Sequence, residues 1–241
     1  MDMKISGSGS IPAGEYEGIH ISGSGRIVGP VRCDNVHVSG SMHAEDGIDC
    51  KNDFKISGSG HVAKAVKAGS MSVSGSGHVG PLTVQKEIKV SGALKANGSV
   101  HAGSIRVSGS MGADGDVEAE EIRVSGMINC KGLLNAEDID IEFQRSMEIE
   151  SIGGSTIRIY RRLIENRKSI LPLFSSLVKR TWGFVTTNTV EGDIIALEGV
   201  KASRVSGRVV AIGADCQIDL VQYSESIEID PSARVGSTEK I

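Results

Sequence analysis

Three histidines, His43, His61 and His78, follow one another at intervals of 18 and 17 residues. Imidazoles brought together in space could ligate a transition metal. Cys33 and Cys50 are also 17 apart, and two facing thiols could form a disulfide or share a metal. A basic series, Lys4, His20, His37, Lys55, Lys89, Arg106 and Arg123, keeps the same interval and could meet an anionic lipid or polymer. So does a serine series, Ser6, Ser22, Ser39, Ser57, Ser74, Ser91, Ser108 and Ser125, which could present a sugar- or ice-binding plane. Each set also has a plainer reading: solvated ladders for the histidines and bases, small core residues for the cysteines, and turn-capping hydroxyls for the serines. The acids Glu118, Glu120 and Glu121 have no histidine beside them in the sequence, and there is no Walker loop and no CxxC. No catalytic constellation emerges, so the expectation is a protein that is not an enzyme and needs no cofactor or metal.

The shared interval is the stronger message. An aliphatic residue followed by Ser-Gly recurs at Ile5, Ile21, Val38, Ile56, Val73, Val90, Val107 and Val124, and Ile141 and Ile157 extend the phase. A period near 17 implies a solenoid whose repeats bury their apolar sides against neighbours. Within the repeat from Val107, the pairs Met111/Ala113, Val117/Ala119 and Ile122/Val124 are each two apart, which is strand spacing. Spacings of three and four, the mark of a helix, are missing. Three pairs per repeat predict an all-β, parallel, three-faced β-helix with coils of about 17 residues. Gly7, Gly23, Gly40, Gly58, Gly75, Gly92, Gly109 and Gly126 fall two after the marker, at a corner, where a residue without Cβ bends freely.

Composition agrees. Glycine supplies 31 of 241 residues and aromatics only 3%, as expected if a narrow interior of Val, Ile, Ala and Met has little room for rings. Stacked at about 4.8 Å per coil, the chain makes a rod of roughly 55–60 Å. Met1–Ser10 has no apolar run, and no stretch of about 18 apolar residues occurs. With scattered cysteines, this predicts a cytoplasmic protein. A net charge of −4 gives no general case for nucleic acid.

The pattern divides the chain into coils over 1–159, an interruption over 160–189, further coils over 190–235 and a polar tail over 236–241. The interruption carries Arg161, Arg162, Arg167, Lys168, Lys179 and Arg180 against Glu165 alone, and it holds Tyr160, Phe174, Trp182 and Phe184. Pro172 divides its apolar residues and argues against one unbroken helix. Bases flanking Leu, Phe and Trp suit an anionic membrane surface. They suit a protein partner equally, or a segment folded over an open side or end of the rod. Candidate contact residues are Arg161, Arg162, Lys168, Leu171, Phe174, Leu177, Lys179, Arg180, Trp182 and Phe184.

The hydrophobic-Ser-Gly coils, with stretches such as CKGLLNAEDIDIE (130–142) and VEGDIIALEGV (190–200), resemble those of the bactofilins, bacterial polymer-forming cytoskeletal proteins. The resemblance covers roughly 1–159 and 190–235. It implies a right-handed β-helix that polymerises end to end without nucleotide, alone or with a paralogue. It further implies a scaffold for membrane-proximal processes such as cell shape, envelope assembly or motility, at the inner face of the cell membrane and with protein clients. The chain departs from the family pattern in its many coils and in the interruption. Bare coil ends template further strands, so the candidate polymer interface is Met3, Ile5, Ile11 and Ile19 at one end. At the other it is Ile218, Leu220, Ile227, Ile229 and Val235. The alternative is a non-polymerising β-helical adaptor acting through 160–189.

Overall fold

Period-two alternation settles the local structure. In the coil that follows Ile56, the backbone buries Gly60/Val62, Val66/Ala68 and Met71/Val73, while Ser59 and Lys67 face solvent. The computed structural model describes residues 1–162 and 183–241, and in that part every regular element is a strand. All strand pairs are parallel and join into one sheet wound as a solenoid of about 13 turns. Coils of about 17 residues present three faces, as the sequence predicts.

Register is kept along the rod. On the first face one inward column runs Ile5, Ile21, Val38, Ile56, Val73, Val90, Val107, Val124, Ile141, Ile159, Leu197, Ile212, Ile229. A second inward column on that face begins at Met3 and ends at Ile227. These columns and their counterparts on the other two faces form the core. The interior does admit rings. Phe54 is fully buried between Val36 and Met71, and Phe143 is buried at a corner. The low aromatic content therefore reflects few ring-sized sites rather than none.

The corners explain the Ser-Gly signature. The N–H groups of Ser57 and Gly58 both donate to the carbonyl oxygen of Val38, at 2.8 and 3.2 Å, and Ser59 N–H donates to that of Gly40 at 2.8 Å. The same bonds recur in neighbouring coils, pulling one corner tightly onto the next. A Cβ on Gly23, Gly40, Gly58, Gly75, Gly92, Gly109 or Gly126 would lie 2.0–2.1 Å from the preceding glycine's carbonyl oxygen. Glycine is required by close approach between coils, not by an unusual φ.

The corner then widens. Val124 is followed by Ser125-Gly126 and a new strand at Met127. One coil later the strand runs on to Phe143, and the next begins at Met147. In the coil after that, the strand ends at Arg161 and the next begins at Val185. The interruption is thus an insertion in an already enlarged corner, narrower than 160–189. The expected polar tail is also revised. Arg234–Lys240 is a strand paired with Gln217–Ile229, because backbone bonding extends the last coil where the side chains no longer need burial.

Candidate interaction surfaces

The two ends differ from the rod between them. Of the predicted end residues, Ile11 and Ile19 are fully buried, and Ile5 and Ile218 nearly so. They belong to the core of their own coils. Met3, Ile227 and Val235 are half-buried against that core, Leu220 is half-buried, and Ile229 is 41% exposed. Among the described residues no helix or loop lies over either end. Among the described residues, Asp2–Ile5 pairs with Gly18–Ile21 and Arg234–Lys240 with Gln217–Tyr223.

At the insertion corner, Arg161 turns into the protein. It is only 8% exposed, and its guanidinium lies 2.5 Å from the Asp215 carboxylate. Two cations lie over the Phe184 ring, the Arg161 guanidinium 5.2 Å and the Lys201 ammonium 4.3 Å from its centroid, a favourable cation–π arrangement. Gly199, with φ of +61°, leaves room for Arg161, since a Cβ there would lie 2.7 Å from Nε. Arg161 and Phe184, expected as outward contacts, instead clasp the stem of the insertion. Arg162 is exposed and 3.7 Å from Glu142. Lys168, Leu171, Phe174, Leu177, Lys179, Arg180 and Trp182 lie outside the described residues. The stem is closed by Arg162 N–H donating to Phe143 O at 2.9 Å and Met147 N–H to Phe184 O at 3.0 Å.

The ladders form in the predicted register. Lys4, His20, His37, Lys55, Ser72, Lys89, Arg106, Arg123 and Asp140 make one outward column. An acidic column that sequence reading missed runs beside it. Asp53 lies 3.1 Å from Lys55, Glu87 and Glu121 each lie 3.5 Å from Arg106, and Glu121 lies 2.5 Å from Arg123. The basic stripe is therefore largely neutralised in its middle. The signal was available, since these acids recur 34 residues apart, on every second coil and two residues before the bases, with Ser70 and Ser104 between them. Such exposed pairs contribute roughly 0–1 kcal/mol each.

His43, His61 and His78 stack with ring centroids 4.9 and 5.0 Å apart, the first pair parallel and the second edge-to-face. His20 and His37 pack edge-to-face at 5.2 Å. Burial, then the charges of His43 and His78, lowers the pKa of His61. Burial, then Lys55 and His20, lowers that of His37. Among the described residues no group of three or more His, Cys, Asp or Glu side chains is arranged to hold a metal ion. Cys33 and Cys50 are register partners, buried and unbridged. A hydrogen bond with Cys50 and burial push the Cys33 thiol up.

These features define a class: a parallel β-solenoid of about 13 turns, with coils of about 17 residues and one widened corner. In sequence the chain is similar to two Bacillus subtilis (strain 168) proteins. It is 46% identical to the uncharacterized protein YhbE over 57 residues, 24% of each chain. It is 30% identical to the uncharacterized protein YhbF over 93 residues, 39% of this chain and 34% of that one. The matches thus span about a quarter to a third of those relatives. No family model matches the chain, and no solved structure does.

Proposed function

We propose that this protein is a structural scaffold of the bactofilin type, polymerising through its coil ends without nucleotide and without catalysing a reaction. One observation carries the reading: the inward columns end at Met3/Ile5 and Ile227/Ile229 beside unpaired strand edges, with Ile229 exposed. An open edge flanked by apolar side chains templates another strand. Its proposed setting is the cytoplasm, at the inner face of the membrane, where such a polymer would support cell shape, envelope assembly or motility. Copies of this chain or a paralogue would be its main partners, with protein clients along its length.

The test is negative-stain electron microscopy of the purified protein across a salt series, beside the Ile5→Lys and Ile229→Lys variants. Filaments about one rod wide in the parent, lost in either variant, would support the scaffold. Discrete rods at every salt concentration, or filaments unchanged in both variants, would overturn it.

A second reading is favoured by the place of the insertion. Its stem, Arg162 and Gly183, leaves the side of the rod at a widened corner, with Arg162 exposed. There the basic-aromatic segment would contact an anionic membrane or a protein client whether or not the rod polymerises. Deleting 163–182 should abolish co-sedimentation with vesicles containing phosphatidylglycerol. Undiminished binding would remove this reading.

A further inference from the structure

We infer that two copies of this chain pair side by side through the first face of the solenoid, running in the same direction about a twofold axis that lies along the rod. The contact is lateral. It uses side chains on the outside of the sheet and does not depend on polymerisation through the coil ends.

Three observations carry it. The first is an apolar patch where the rod is otherwise charged. Two outward columns run along the first face. In one, Asp53, Glu87 and Glu121 give way to Ile194 and Val209. In the other, Lys55, Lys89 and Arg123 give way to Ala196 and Ala211. Ile194 pairs with Val209 and Ala196 with Ala211, so the four side chains are contiguous on the outer surface. Ile194 is 44% exposed and the other three are half-buried. A contiguous apolar patch rimmed by polar residues marks a contact surface, whereas single exposed aliphatics do not.

The second observation is fit by size. A twofold axis along the rod sets each coil opposite the same coil of the second copy and reverses the strand direction. Each outward column then meets the other column. Ile194 lies over the partner's Ala196 and Val209 over the partner's Ala211, large over small, as side chains of facing sheets interdigitate. A groove of about 510 Å³ bordered by Ala196, Ala211, Gly213 and Tyr160 gives the incoming side chains room. Antiparallel rods would set Arg158 against the partner's Glu228. They would also stack Ile194 on the partner's Val209 and leave Ala196 facing the partner's Ala211 across a gap.

The third observation is charge. The same twofold brings Lys55 to the partner's Asp53, Lys89 to the partner's Glu87 and Arg123 to the partner's Glu121. One step is less favourable, since Asp138 would face the partner's Asp140, but Arg158 lies 3.2 Å from Asp138 and 3.4 Å from Asp140 within each copy. Such pairs fix register more than they add affinity, and the apolar patch supplies the dry centre. A face roughly 60 Å long and about 13 Å wide offers roughly 800 Å² per copy, the share of a standard interface. A contact that uses the same surface on both copies closes as a dimer.

Sedimentation tests the pair. The full chain carrying Ile5→Lys and Ile229→Lys serves as the parent, so that lateral association is read apart from any contact between coil ends. The inference expects a reversible dimer. Ile194→Asp should weaken it roughly a hundredfold or more, because each copy would bury an unpaired carboxylate. The melting curve of the monomer should stay unchanged, as for an exposed position. A chain with Lys55→Glu, Lys89→Glu and Arg123→Glu should pair with itself at least about tenfold more weakly, as should one with Asp53→Lys, Glu87→Lys and Glu121→Lys. Their mixture should give a heterodimer. Direction is read from spin labels at Ser57→Cys or Ser125→Cys, both exposed sites in a chain whose four native cysteines are buried. Parallel pairing expects the same distance between copies at both sites, roughly 20–30 Å. Antiparallel pairing about the patch would give roughly 70 Å at Ser57 and about half that at Ser125, and would overturn the inference. So would a dimer undiminished by Ile194→Asp. A parent that stays monomeric at every concentration would overturn it too, and would leave the patch to a different protein.

Discussion

The glycine at position 58 stands so close over that at position 40 that a Cβ on Gly58 would lie 2.1 Å from the Gly40 carbonyl oxygen. The equivalent Cβ on Gly7, in the first coil, would meet nothing within 4 Å. The same motif is thus under opposite constraint at the two places. Gly58→Ala should cost about 1–3 kcal/mol, the usual penalty for forcing extra volume into packed structure. Gly7→Ala should be neutral or slightly stabilising, since it only reduces the freedom of the unfolded chain. Thermal or urea denaturation of the two variants checks this, and equal losses would contradict the packing account.

The clasp at the insertion predicts a contrast between adjacent arginines. Arg161→Ala removes a buried guanidinium from Asp215 and from the Phe184 ring, and should cost about 2 kcal/mol, as loss of a hydrogen bond to a charged group does. Arg162→Ala, at the exposed neighbour, should change stability by about 0.5 kcal/mol or less. Melting curves separate them. If Arg162→Ala proves the more damaging, the clasp does not hold the stem.

The histidine ladders make stability depend on pH. His37 and His61 have lowered pKa values in the fold, so below the ordinary value of about 6.5 the unfolded chain binds more protons than the native one. Their stabilisation is present above that pH and is lost as pH falls towards the lowered folded values. The melting temperature should therefore drop between pH 7 and pH 5. In a variant with His37 and His61 both changed to Ser, the drop should be smaller. An unchanged slope would assign the effect to other groups.

The thiols should be silent in the native state. Cys33, Cys50, Cys130 and Cys216 are all buried and unbridged. The hydrogen bond with Cys50 and burial keep Cys33 in the unreactive thiol form; the same bond lowers the pKa of Cys50, whose silence therefore rests on its burial. Ellman's reagent should titrate almost none at neutral pH and about four per chain in denaturant. Rapid native reaction of two would mean that the Cys33–Cys50 layer opens.

Much of the fold is legible in the sequence because every coil repeats the same physical problem. Val107 and Val124 alternate with polar neighbours at strand spacing, and their columns fall where that alternation puts them. Apart from the acids at Asp53, Glu87 and Glu121, what escaped reading lies where identical coils stop. The Phe143 and Arg161 corner breaks the glycine rule without a new motif to announce it, and basic-aromatic composition suggested an outward role for Arg161 and Phe184. Burial of a cation against Asp215, which is 54 positions away, follows from how coils stack and from no local pattern. The strand Arg234–Lys240 was missed because its side chains are polar, and backbone pairing leaves no hydrophobic trace. Ile11, Ile19 and Ile218, read as end contacts, are covered by their own coils, so fewer side chains remain to meet a partner.

The register also makes length a counted quantity. Val73 and Val90 hold equivalent places one coil apart, so excising residues 74–90 would join Val73 to Ser91 and renew the Ser-Gly corner. Since each coil touches only its neighbours, the product should be the same object shorter by about 4.8 Å, and duplication of that segment should lengthen it by as much. Tandem copying or loss of a 51-nucleotide block of coding DNA would then reset the molecule's reach in whole steps, and this chain behaves as a ruler whose graduations are its own repeats.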